Sequence, residues 1–154
     1  MPLAIELPDE AATSHLAIGL ARLVRRGDVI GLSGPLGSGK TTFARAFICA
    51  RLGIAEVPSP TFALVEVYES TTDAAIWHFD LYRMEKPDDV YELGFEDALA
   101  DGILLIEWPE RLGGLMPREH LGLILSAGEV DSARHASLAA SPAWASRIAG
   151  LLHD

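Results

Sequence analysis

No stretch constrains the fold of this chain more than Gly34-Pro35-Leu36-Gly37-Ser38-Gly39-Lys40-Thr41. It follows the apolar run Val29-Ile30-Gly31-Leu32 and precedes a helix-like segment, Thr42 to Leu52. A strand, a glycine-rich turn and a helix, in that order, are what a phosphate-binding loop of pattern G-x-x-x-x-G-K-[ST] requires. The glycines let backbone N–H groups converge into a nest that a Cβ would obstruct. The helix opening near Gly39 adds unpaired amides and the positive end of its dipole. Lys40 can reach the β- and γ-phosphates as a point charge, and the Thr41 hydroxyl can ligate Mg²⁺.

Around this loop the chain reads as α/β. Leu3 to Leu7 suggests a short edge strand, and Asp9-Glu10 opens a helix running to Arg26 and closed by Gly27. Arg22, Arg25 and Arg26 then complement the dipole at that helix end. Val29 to Leu32 suits a central parallel strand. Phe43, Phe47 and Ala50 mark the buried face of the helix after the loop, with Cys49 a small buried hydrophobe beside them. Pro58-Ser59-Pro60-Thr61-Phe62 is a stiff connector, either a rigid turn or a loop presenting Ser59 or Thr61 to the γ-phosphate. Leu64 to Glu69 and Ala75 to Leu81 read as a hairpin. Lys86 to Ala100 reads as short helices broken at Gly94, and Arg111 to Glu119 as a loop. Leu121 to Leu125 and Ala133 to Ala140 are strands around Gly128, and Pro142 to Leu152 is a helix. The expected fold is a three-layer sandwich of the P-loop NTPase kind in one domain, residues 1–154. Its central sheet is mostly parallel, with antiparallel strands at the edges and flanking helices.

The acidic half of such a site comes from two strand ends. Ile103-Leu104-Leu105-Ile106 makes a buried strand with Glu107 at its carboxyl end, where ligands of open α/β sheets collect and an acid can hold Mg²⁺. In His78-Phe79-Asp80-Leu81-Tyr82-Arg83, strand alternation puts His78, Asp80 and Tyr82 on one face. If water attacks a γ-phosphate, Asp80 is the favoured group to orient it, because Glu107 is assigned to magnesium. Trp108 either packs structurally or covers the nucleotide.

Absences narrow the class. The chain contains no Asn and no Gln, so it has neither a guanine-reading Asn-Lys-x-Asp motif nor a Ras-like water-orienting Gln. A formal net charge of −10 disfavours free nucleic acid as a direct ligand. A single cysteine, an acidic start and no long apolar run lead to the expectation of a soluble, cytoplasmic protein. A small-molecule or nucleoside kinase is the rival, with Arg111 and Arg118 flanking one short potential lid.

Taken together, Gly34-Pro-Leu-Gly-Ser-Gly-Lys-Thr-Thr-Phe, Ser59-Pro-Thr-Phe, Leu64-Val-Glu, His78-Phe-Asp-Leu-Tyr-Arg and Leu105-Ile-Glu-Trp-Pro-Glu closely resemble the TsaE family, formerly YjeE. The resemblance implies an ATPase needed for threonylcarbamoyladenosine modification of tRNA at position 37. Such a protein acts with TsaD and TsaB and meets tRNA only through that complex. It further implies that Lys40 and the amides of Leu36, Gly37, Ser38 and Gly39 bind the phosphates of ATP, supported by Thr42. Thr41 and Glu107 would bind Mg²⁺, Asp80 and Trp108 would belong to the active site, and Thr13 and Arg134 would approach adenine and ribose. The chain departs from the family at Pro35, where Asp is common. Pro lacks an N–H, but the position precedes the main phosphate nest, so binding is expected to survive.

Overall fold

A computed structural model describes residues 3–35, 37–57, 63–70 and 73–152, without the side chains of 151 and 152. The elements in chain order are β1 (Leu3–Leu7), α1 (Glu10–Leu23), β2 (Val29–Ser33), α2 (Lys40–Leu52), β3 (Val65–Tyr68) and β4 (Ile76–Asp80). A 3-10 segment (Pro87–Leu93), α3 (Phe95–Asp101), β5 (Ile103–Glu107) and a second 3-10 segment (Pro109–Leu115) follow. The chain then runs through β6 (Leu121–Ala127), β7 (Arg134–Ala140) and α4 (Pro142–Leu152). The expectations for Leu36 and for Pro58 to Phe62 lie outside the described residues.

One seven-stranded sheet, ordered β1-β7-β6-β2-β5-β4-β3, organises the molecule. β2 pairs in parallel with both β5 and β6, and β5 with β4. The antiparallel pairs β1–β7, β6–β7 and β3–β4 flank that centre. The fold is thus the expected α/β arrangement, a P-loop architecture with a parallel core.

Alternation along β5 explains its unbroken apolar run. Ile103 and Leu105 enter a core under α1, α2 and α4, whereas Leu104 and Ile106 enter a second core with Phe79, Phe95 and Leu112. A strand covered on both faces has no polar side to show. The second core takes nothing from β1, β6 or β7, and on β6 Ile124 is 50% exposed.

Several boundaries move from the sequence reading. Asp9 caps α1 by accepting from the Ala12 N–H at 2.8 Å, but the helix stops at Leu23, short of Arg26 and Gly27. Only Arg22 falls in its last turn; Arg26 instead pairs with Asp101 at an exposed site. On α2, Ala50 is exposed and Cys49 only half-buried, because the helix turns its Phe43–Phe47 stripe inward and Ala50 lies off it. The stretch after Trp108 is not a loop throughout. Pro109 fits the first position of a 3-10 segment, and Leu112, fully buried, anchors it. Among the described residues, no helix is long and apolar enough to cross a membrane.

Candidate nucleotide-binding site

The loop from Gly34 to Thr41 takes its shape from backbone conformations that only glycine adopts cheaply. Gly34, Gly37 and Gly39 have φ of 140°, 79° and 101°. At Gly34 a Cβ would collide with the Leu125 carbonyl and sit 2.7 Å from Ser38 Oγ, so β6 packs directly against the loop's entry. The Ser38 N–H closes a turn onto the Pro35 carbonyl at 3.2 Å, a bond in which Pro35 serves as acceptor. Its lack of an N–H is therefore no obstacle to that turn. Gly39 caps α2 in the left-handed region, and among the described residues no side-chain cap bonds to the start of the helix. The first amides of a helix, with the dipole behind them, suit an anion.

Lys40 is 5% exposed. Its Nζ donates to the Gly34 carbonyl at 2.6 Å and lies 3.6 Å from the centre of the Trp108 ring. Burial pulls its pKa below the ordinary 10.5, while Glu107, Asp80 and Glu110 act in the opposite sense. Trp108 has φ 60°, the only positive φ at a non-glycine among the described residues, and its ring packs 4.9 Å from that of Tyr82. Backbone strain of this kind persists where the surroundings hold it, here between Lys40 and Tyr82.

The acidic half stands opposite. The β4–β5 register sets Asp80 directly beside Glu107, both at carboxyl ends of parallel strands. Glu107 is 6% exposed and shares a 2.7 Å hydrogen bond with His78 Nε2. Asp80 is exposed, and its Oδ1 accepts the Tyr82 N–H at 3.3 Å. Thr41, His78, Asp80 and Glu107 line one cleft together with Glu66. A second, smaller cleft on the far side of Gly39 is lined by Glu10, Thr13, Thr42, Ser132 and Arg134.

The described residues suit a magnesium triphosphate. Among the described residues Thr13 Oγ1 and Ser38 Oγ are buried and find no hydrogen-bond partner, as groups awaiting a polar ligand would. Among the described residues no three His, Cys, Asp or Glu side chains are grouped to hold a metal by themselves. Mg²⁺ does not ask for that, since it takes one or two protein ligands and completes its shell with phosphate and water. Thr41 and Glu107 face the same cleft and could provide those ligands.

The structure brings Gly37, Ser38, Gly39, Lys40, Thr41, Asp80, Glu107 and Trp108 to one end of the sheet, and Thr42, Thr13 and Arg134 to the adjoining cleft. Tyr82 departs from the expected alternation: β4 ends at Asp80, and Tyr82 turns to pack at a 45° tilt against Trp108. Sequence reasoning missed the His78–Glu107 pair, which rests on a strand register that no local motif encodes. It also missed Ser132 and Glu10, contributed by elements far apart in the chain.

Comparison with known proteins follows the same residues. The family described as "Threonylcarbamoyl adenosine biosynthesis protein TsaE" matches residues 7–136. A "tRNA threonylcarbamoyladenosine biosynthesis protein TsaE" from Rickettsia felis is 42% identical over 111 residues, which are 71% of this chain; the chain spans 64% of that relative's length. One of the same description from Bacillus subtilis is 36% identical over 126 residues, 80% of this chain and 76% of the relative. The crystal structure of YdiB from Bacillus subtilis superposes with a TM-score of 0.78 at 25% identity, covering 99% of this chain and 95% of that one. The family match takes in the phosphate loop, both acidic strand ends and Arg134 in one continuous span, and the chain belongs to the TsaE family.

Proposed function

We propose that this chain is a Mg²⁺-dependent ATPase serving N6-threonylcarbamoyladenosine modification of tRNA position 37, weak alone and functional in a cytoplasmic complex with TsaD and TsaB. The observation that carries the reading is the meeting of Thr41 with Asp80 and Glu107 around one cleft, with Lys40 near enough to interact with both carboxylates. In this reading the loop amides and the start of α2 receive the β- and γ-phosphates of ATP, and Lys40 exchanges its bond to the Gly34 carbonyl for phosphate oxygens. Mg²⁺, when bound, would be held by Thr41 and Glu107 and would supply positive charge against the charge developing on the phosphates. His78 fixes the Glu107 carboxylate through their 2.7 Å hydrogen bond. Asp80, exposed at the mouth, orients a water toward the γ-phosphate and accepts its proton. Thr13 and Arg134 sit on the nucleoside side. The acidic surface keeps tRNA contact indirect, through the complex.

The kinase alternative has less support. Arg111 belongs to a 3-10 segment pinned by buried Leu112, not to a mobile lid. The experiment is ATP turnover with and without the TsaD–TsaB pair. The expected result is a rise in turnover and co-purification with the pair; unchanged turnover without co-purification would sink the proposal.

A further inference from the structure

Glycine-rich loops fold into nests easily and hold them poorly, since each glycine adds backbone freedom. The entry of this loop is held by β6 against Gly34 and its exit by α2. Its crest, at Gly37, is exposed and is reached from far along the chain: Arg134 Nη2 donates to the Gly37 carbonyl at 3.1 Å across 97 residues. Arg134 Nη1 donates to the Asp131 and Ala133 carbonyls at 2.6 and 2.7 Å, so the guanidinium bridges the β6–β7 turn to the loop. Its side chain runs beside Gly39, where a Cβ would stand 3.5 Å from Nε and 3.6 Å from Cγ. Arg134 itself is seated in the sheet, paired with Leu7 on one side and Ala127 on the other. The peptide plane between Gly37 and Ser38 is thereby held at both ends, since the Ser38 N–H is bound to the Pro35 carbonyl.

We infer that Arg134 is a positioning residue that braces the crest of the phosphate loop from the β6–β7 turn before any ligand arrives. The inference deepens the reading of Gly34–Thr41 as a triphosphate site and rests on it only for its consequence, tighter binding of phosphate. A residue reserved for the nucleoside would leave the empty loop unchanged. A brace acts in the empty protein, and on every phosphate ligand alike.

The test is hydrogen–deuterium exchange of the nucleotide-free protein, comparing wild type with Arg134→Ala and Arg134→Lys. Arg134→Lys keeps the charge but cannot span three carbonyls. Both variants should exchange about tenfold faster at the Ser38 amide, whose bond to the Pro35 carbonyl closes the loop, with α1 and α4 unchanged. Calorimetric affinities for Mg·ATP and for Mg·tripolyphosphate, which has no nucleoside, should then fall together by a similar factor. Unchanged loop exchange overturns the inference, as does loss of ATP affinity with tripolyphosphate spared, which would make Arg134 a nucleoside contact. A wild type that binds neither ligand would defeat the nucleotide reading instead, while the exchange comparison still decides whether Arg134 braces the loop.

Discussion

Lys40 carries two opposing demands. Folding buries it, which disfavours the ammonium, and phosphate recognition needs that ammonium. The Gly34 carbonyl, the Trp108 face and three nearby carboxylates offset the cost of burial. A pH dependence with two opposite signs follows. Because the folded-state pKa lies below the ordinary 10.5, the unfolded chain binds more protons in that alkaline window, and Lys40's contribution to stability rises with pH there. Triphosphate affinity should fall over the same window, as the ammonium is lost. Calorimetric titration from neutral to alkaline pH checks this, and Lys40→Arg should flatten the affinity profile because a guanidinium stays charged. That Lys40 and Thr41 open the helix after the glycine turn was legible from the loop's pattern, and Asp80 at the end of β4 from strand alternation. The contact of Tyr82 with Trp108 was not, since it depends on where β4 ends and on a left-handed Trp108 backbone.

Among the elements, α4 shows how a helix late in the chain is locked to the start of the sheet. Arg147 donates to both carboxylate oxygens of Asp28, at 2.5 and 3.0 Å, and to the Leu23 carbonyl at 3.2 Å. Its guanidinium lies 4.0 Å over the Trp144 ring. The hydrogen bond to Asp28 raises the already high Arg147 pKa, so the guanidinium keeps its charge. With side-chain exposures of 17% and 13%, removing one partner strands the other charge. Arg147→Ala should therefore lower stability by about 2–3 kcal/mol in urea denaturation. A loss below about 0.5 kcal/mol would class the pair with exposed bridges such as Arg26–Asp101. Element types were legible where helical spacing ran long, as in α1, and where a short apolar run stood unbroken, as in β2 and β5. Helix ends were less so: Arg25 to Gly27 offered basic residues and a glycine stop, yet Val24 already leaves the helix to start the turn into β2. The stretch after Trp108 read as irregular from its glycines, whereas Pro109 and one buried leucine, Leu112, wind it into a 3-10 segment.

At the scale of the molecule, function follows from sheet order. β2 delivers the phosphate loop, β5 beside it delivers Glu107, and β4 beside β5 delivers Asp80, all pointing their carboxyl ends the same way. The loop and the two acids each had a local signature, but their convergence is a property of pairing between segments some 30 to 70 residues apart, which no window along the chain contains. The small cleft of Thr13, Ser132 and Arg134 has the same origin. In the function proposed above, this convergence makes an ATP-hydrolysing site in which binding and chemistry belong to different residues. Paired measurement of Mg·ATP affinity and ATP turnover for wild type and Asp80→Ala, in the presence of TsaD and TsaB, tests it most directly. The account predicts affinity within a few-fold of wild type and turnover reduced by about 100-fold or more; turnover that survives the substitution, or affinity and turnover lost together, would contradict it.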